Sequence, residues 1–141
     1  MDVVMKVPRT NETWGLIHAD LRPSNVIRGN DGRLTVIDFD DAGYSWYLYD
    51  YASSLSFIEH EPYAPDLAKA WVRGYQRVAG SFTDGELHIM SALSMIRRMQ
   101  MLGWTTSHRE DALPDGLAAQ QAPGSVMCAK NYLEDPLWLL H

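Results

Sequence analysis

The sequence predicts an α+β chain that is predominantly helical, with a small β-hairpin packed on about four helices. Three observations carry this. Two β-like runs, residues 25–28 and 34–37, flank Gly29-Asn30-Asp31-Gly32, a turn whose residues tolerate positive φ. Beyond residue 45 the apolar residues recur at helical spacing, the signature of an amphipathic helix. Thr83 and Glu86 stand at the spacing of a capping box, which opens a helix.

Taken in order, residues 1–7 are mixed apolar, and Pro8-Arg9-Thr10-Asn11 reads as a loop. Leu16-Ile17 is a short apolar run leading into a His-Asp loop, and the hairpin follows. Leu48, Ala52 and Leu55 share one helical face. Leu67, Trp71, Tyr75 and Val78 form a second stripe, entered through Pro65, a residue suited to a first helical turn. The helix opened by Thr83 carries Ile89, Leu93, Ile96 and Met99, and Gly103 is expected to end it. Residues 112–124, with Pro114, Gly116, Pro123 and Gly124, read as a loop. Residues 126–133 read as a last helix. The chain divides into residues 16–52, which hold the chemistry, and a helical remainder, 53–141, within one domain spanning 1–141.

Hydrophobic residues make up 46% of the 141 and charged residues 21%, enough apolar material for a folded core. The net charge of −6 is opposite to what phosphate contacts demand, so no nucleic-acid partner is expected. The acidity is compatible with a cationic small molecule, and equally with solubility alone. A single cysteine, Cys128, excludes an intrachain disulfide and any multi-cysteine metal site; it is expected in the core. No apolar run approaches the ~18 residues of a membrane span, so no membrane partner and a cytoplasmic location are expected.

The chemistry lies in His18-Ala19-Asp20-Leu21-Arg22-Pro23-Ser24-Asn25 and in Val36-Ile37-Asp38-Phe39-Asp40-Asp41. Between them they offer a carboxylate for a hydroxyl, a cation for a phosphoryl group and two oxygen ligands for Mg²⁺. Each acid read singly is also an ordinary solvated loop residue; their order and spacing favour a site. Tyr44, Trp46, Tyr47, Tyr49 and Tyr51 suggest either a cation–π box or core packing, with core packing favoured.

His18-x-Asp20-x-x-x-x-Asn25, then Ile37-Asp38-Phe39-Asp40-Asp41-Ala42, then Tyr49-Asp50-Tyr51-Ala52 resemble the C-terminal catalytic lobe of the aminoglycoside phosphotransferase and choline kinase family, small-molecule relatives of protein kinases. The resemblance spans residues 16–52 and implies a protein-kinase-like C-terminal lobe. It implies ATP as co-substrate, Mg²⁺, and a small-molecule hydroxyl acceptor. Asp20 takes the place of the catalytic base, Asn25 and Asp38 those of the metal and nucleotide ligands, and Arg22 that of a cation near the transferred phosphate. His18 and Asp50 are implied to support the loop; Asp50 is also placed for a helix cap. Asp41, Trp104 and His108 are candidates for the acceptor pocket. Asp40 stands where protein kinases carry glycine, which points to the small-molecule branch.

Only 17 residues precede His18, so the family's nucleotide lobe is expected to be absent. The surface this leaves is expected to make a homo-oligomer. A catalytic lobe and a non-catalytic remnant or binding module of the same fold both remain open. Metal-dependent phosphoester hydrolysis is disfavoured, since a two-metal site takes more histidine and carboxylate ligands.

Overall fold

The computed structural model describes residues 2–108 and 115–141. The predicted hairpin is formed by β-strands Val26–Arg28 and Leu34–Val36, antiparallel, with Val26 opposite Val36 and Arg28 opposite Leu34. Gly32 at the turn holds φ 81°, a backbone that glycine adopts without strain. A second antiparallel pair joins Trp14–Ile17 to Gly43–Trp46, registering Trp14 with Trp46 and Ile17 with Gly43. This sheet is not in the sequence reading, because its strands are four residues each and lie 26 residues apart. In chain order the strands are β1 (Trp14–Ile17), β2 (Val26–Arg28), β3 (Leu34–Val36) and β4 (Gly43–Trp46). Gly15 in β1 leaves room for the Tyr47 ring, whose Cζ lies 2.7 Å from where a Cβ would stand.

The helices are α1 (Asp2–Met5), α2 (Tyr49–Ser54), α3 (Ala64–Ala79), α4 (Asp84–Ser107) and α5 (Asp115–Glu134). Helix α4 packs against α1, α2 and α5. Its capping box is complete, with the Thr83 amide donating to Glu86 Oε2 at 2.8 Å and the Glu86 amide to Thr83 Oγ1 at 3.3 Å.

Three helical expectations are corrected. Helix α4 continues through Gly103 to Ser107. An interior glycine costs only about 1 kcal/mol relative to alanine, and a 24-residue packed helix absorbs it. In α3 the inward face is Ala64 and Ala68, which are buried, with Trp71, Val72 and Tyr75 half-buried, whereas Leu67 and Val78 are exposed. The small alanines let α3 approach Tyr51 and Leu139, a contact that selecting the largest apolar residues overlooks. Helix α5 runs straight through Pro123 and Gly124, where the sequence reads as a loop; residues 112–114 of that stretch lie outside the described residues.

Gly124 marks the crossing of α5 over α4. A Cβ there would lie 2.7 Å from both Arg98 Nη2 and His60 Cγ. One core cluster gathers Tyr51, Leu55, Ala64, Ala68, Met90 and Leu139, and another gathers Val4, Ala52, Ala92 and Leu93. Trp71 and Tyr75 stack at 4.7 Å and lean on Phe82, closing the first cluster. Cys128 is buried, and burial pushes its thiol up to about 11.

Candidate active site

Strand β1 delivers the chain into the His18–Asn25 loop, and the first turns of α2 hold that loop from behind. Asp50 accepts two consecutive amides: His18 N–H donates to Oδ2 at 3.0 Å and Ala19 N–H to Oδ1 at 2.7 Å. Leu21 N–H donates to Ser53 Oγ at 3.1 Å. Leu48, at the helix N-cap, makes no side-chain cap, and the Asp50 carboxylate is committed to the loop.

His18 is buried and bonds within the backbone frame. The Asp20 amide donates to Nδ1 at 3.3 Å, so the ring carries its proton on Nε2 and donates to the Ile37 carbonyl at 3.0 Å. The ring also packs on Phe39 with centroids 4.7 Å apart. It therefore ties the first acidic motif to the second.

The Asp20 carboxylate accepts three side-chain hydrogen bonds. Arg97 Nη2 donates to Oδ1 at 2.6 Å, while Arg22 Nε at 3.0 Å and Asn25 Nδ2 at 2.9 Å both donate to Oδ2. Asn25 Nδ2 also donates to the Asp20 carbonyl at 2.9 Å. Two guanidinium cations thus face one largely buried carboxylate. Arg22 also lies over the Phe57 ring, 5.5 Å from its centroid.

The hairpin explains how Asn25 and Asp38 become neighbours. Asn25 immediately precedes β2, and the Ile37 amide donates to the Asn25 carbonyl at 3.0 Å, so Asp38 leaves β3 beside it. The Asn25 amide nitrogen is committed to Asp20, which leaves its oxygen for a cation. An amide oxygen and a carboxylate suit a hard ion, and Mg²⁺ typically takes one or two protein ligands beside substrate phosphates. Among the described residues no group of three or more His, Cys, Asp or Glu side chains is placed to hold a metal. The donor set therefore fits Mg²⁺ carried with a nucleotide, not a closed metal cage.

A cavity of about 670 Å³ opens over Asp20. Asp38, Asp41 and Arg22 line it, and α4 contributes Arg97, Gln100, Met101 and Trp104, one helical face. Three non-glycine residues among those described hold positive φ: Ala19 at 65°, Asp38 at 66° and Phe57 at 73°. All three line this cavity. Strained backbone of this kind persists where surrounding structure over-determines it, and it clusters at functional sites.

Of the remaining candidates, Trp104 lines the cavity, and the exposed His108 stacks on it at 4.9 Å without lining it. The aromatic run divides: Tyr44, Trp46 and Tyr49 line a separate hollow with Asp41 and Gln100, and only part of the run reaches the cavity over Asp20. Tyr51 is in the core, Trp46 packs edge-on to Trp14, Tyr44 is exposed, and Tyr49 alone reaches the cavity. Its hydroxyl donates to Gln100 Oε1 at 2.8 Å.

The sequence reading missed Arg97. Its signal was Ile96-Arg97-Arg98-Met99, two arginines inside an apolar helix; arginine is rarely buried unless paired. The pair diverges. Arg97 turns to the site, bonding Ser56 Oγ at 2.9 Å through Nε and Tyr49 Oη at 3.3 Å through Nη1. Arg98 turns to the opposite side, donating to the fully buried Glu59 Oε2 at 2.6 Å, Ser125 Oγ at 2.8 Å and the Gln121 carbonyl at 2.9 Å. Burial pushes Glu59 upward, and the Arg98 charge pulls it back.

Comparison with known proteins gives a consistent result. Amicoumacin kinase of Bacillus subtilis (strain 168) is 34% identical over 65 residues, covering 46% of this chain and 19% of that protein. The structure of the microcompartment-associated aminopropanol kinase superposes with a TM-score of 0.75 at 29% identity, covering 99% of this chain and 45% of that one. The chain thus spans less than half the length of these relatives. The sequence model of the phosphotransferase enzyme family matches residues 4–85, more than half of the chain. That stretch contains the Asp50-braced loop, Asp20 with Arg22 and Asn25, and the hairpin that brings Asn25 to Asp38, and the chain belongs to the phosphotransferase enzyme family of small-molecule kinases.

Proposed function

We propose that this chain is the catalytic lobe of an ATP-dependent phosphotransferase that acts on a hydroxyl of a small molecule. The observation that carries the reading is the Asp20 carboxylate, held by three side chains at the wall of an open cavity that also takes in Asp38. In this reading Asp20 accepts the hydrogen of the acceptor hydroxyl and holds its oxygen in line with the γ-phosphorus of ATP. The O–H bond breaks toward Asp20 as the oxygen bonds to phosphorus. The bridging P–O bond breaks, and ADP leaves with the electron pair. Positioning dominates such a transfer, so a fixed carboxylate matters more than a strong base.

Arg22 supplies positive charge beside the transferred group. Asn25 and Asp38 would hold Mg²⁺, which when bound neutralises charge on the nucleotide phosphates. His18 and Asp50 keep the loop in register. The acceptor proposed is an amino alcohol. Asp41 presents an exposed carboxylate to the cavity, suited to an ammonium group, and the structurally similar kinase is named for aminopropanol.

The test is phosphoryl transfer from Mg·ATP to a panel of amino alcohols and uncharged polyols, followed by ³¹P NMR. Transfer to the amino alcohols that falls by about 10²-fold or more in Asp20→Asn supports the reading. Transfer equal in wild type and variant, or none to any acceptor, overturns it.

A further inference from the structure

We propose that Arg97 is the positioning residue that presents one particular oxygen of Asp20, Oδ1, to the acceptor hydroxyl. The inference rests on the phosphotransfer reading above and assigns a task to a residue outside both acidic motifs. A carboxylate offers about four acceptor positions, two on each oxygen. Arg22 and Asn25 occupy both positions of Oδ2, at 3.0 and 2.9 Å. Arg97 occupies one position of Oδ1, at 2.6 Å. The single remaining position is on Oδ1, and the Asp20 side chain, 12% exposed, lines the cavity.

Arg97 is itself fixed before any ligand arrives. Its planar fork spends Nε on Ser56 Oγ at 2.9 Å and Nη1 on Tyr49 Oη at 3.3 Å, and its side chain is 8% exposed. The Tyr49 hydroxyl then donates to Gln100 Oε1 at 2.8 Å. A line of hydrogen bonds therefore runs from Gln100, on the cavity wall, through Tyr49 and Arg97 to the reacting carboxylate. Ser56 lies beside Phe57, which holds φ 73° and lines the same cavity. The chain just beyond α2 thus anchors the guanidinium as the helix's first turns anchor the loop.

A guanidinium in this place does two things. It sets the rotation of the carboxylate, so that the free position of Oδ1 points into the cavity. It also stands next to the acceptor oxygen as that oxygen loses its proton, where a fixed donor stabilises developing charge. Lysine would keep the charge but lose the planar fork that binds Ser56, Tyr49 and Asp20 together.

The experiment measures steady-state transfer from Mg·ATP to an amino alcohol by wild type, Arg97→Met, Arg97→Lys and Ser56→Ala. The last removes one hydroxyl and keeps the arginine, so it serves where Arg97→Met does not fold. The expected result is a fall in kcat of about 10²–10³-fold in Arg97→Met and a smaller fall in Ser56→Ala, with KM for ATP unchanged in both. Millimolar guanidinium should partly restore Arg97→Met, and Arg97→Lys should restore less than the full rate. Unchanged kcat in a folded Arg97→Met or in Ser56→Ala, beside an active wild type, overturns this inference alone. A wild type that transfers to no acceptor overturns the phosphotransfer reading and this inference with it.

Discussion

The Ala19 amide donates to Asp50 Oδ1 at 2.7 Å while Ala19 itself holds φ 65°, so a carboxylate on α2 fixes a loop residue in left-handed backbone. The neighbouring His18 amide shares the same carboxylate. Asp50→Ala strands both donors and is expected to cost about 1–3 kcal/mol. By letting the loop shift, it should lower transfer by about 10²-fold. Ala19→Gly relaxes the backbone and should stabilise the fold by about 1 kcal/mol. Urea denaturation of both variants checks this pair of opposite signs, and a destabilised Ala19→Gly contradicts it.

Gly124 is the point at which α5 crosses Arg98 and His60, each 2.7 Å from where a Cβ would stand. Gly124→Ala is expected to destabilise by about 1–3 kcal/mol through overpacking. Glu59→Ala should cost more, about 3–5 kcal/mol, since it leaves the Arg98 guanidinium buried without its counter-charge. Thermal denaturation followed by circular dichroism measures both, and an unchanged midpoint in Gly124→Ala counts against this crossing.

How much of this was legible depended on range. The hairpin was readable because Gly29-Asn30-Asp31-Gly32 determines it locally, and the α4 start because Thr83 and Glu86 cap each other three residues apart. The β1–β4 pairing was not readable: its strands carry no turn between them and owe their register to contacts across the fold. Pro123-Gly124 reads as a break until Arg98 and His60 are in place to explain the glycine. At the site, Asp20, Asn25 and Asp38 announce themselves by spacing, whereas Arg97 reaches Asp20 from 77 residues away. No local pattern links those two.

Stability should fall at alkaline pH in a defined order. Burial pushes the Cys128 thiol from 9.0 up to about 11. Its contribution is complete below pH 9, where the thiol is protonated folded and unfolded alike. It is lost between pH 9 and about 11, as the unfolded thiol ionises and the folded one does not. Tyr51 and Tyr75, also raised by burial from 10.0, add to the loss at higher pH. Denaturation midpoints across this range should show the decline beginning about one unit later in Cys128→Ala. The buried thiol should also resist thiol reagents until the chain unfolds.

The hairpin and the segments beside it expose Leu16, Ile27, Leu34, Phe39 and Tyr44. Leu16 and Tyr44 stand directly opposite each other in the β1–β4 pair and share a face, and exposed apolar surface of this kind marks an interaction face. We propose that the 141-residue chain self-associates through it at micromolar concentration. Light scattering should give a mass above the monomer, reduced by Leu16→Lys with Tyr44→Lys. A monomer at high micromolar concentration contradicts this.

Calorimetric titration of the chain with Mg·ATP, beside Asp38→Ala, tests the central claim most directly. Weak, saturable binding that the substitution abolishes is expected, because in the proposed reading Asp38 and Asn25 would supply the oxygen ligands for the nucleotide's cation. Absence of binding up to millimolar ATP, or binding that Asp38→Ala leaves intact, would contradict it.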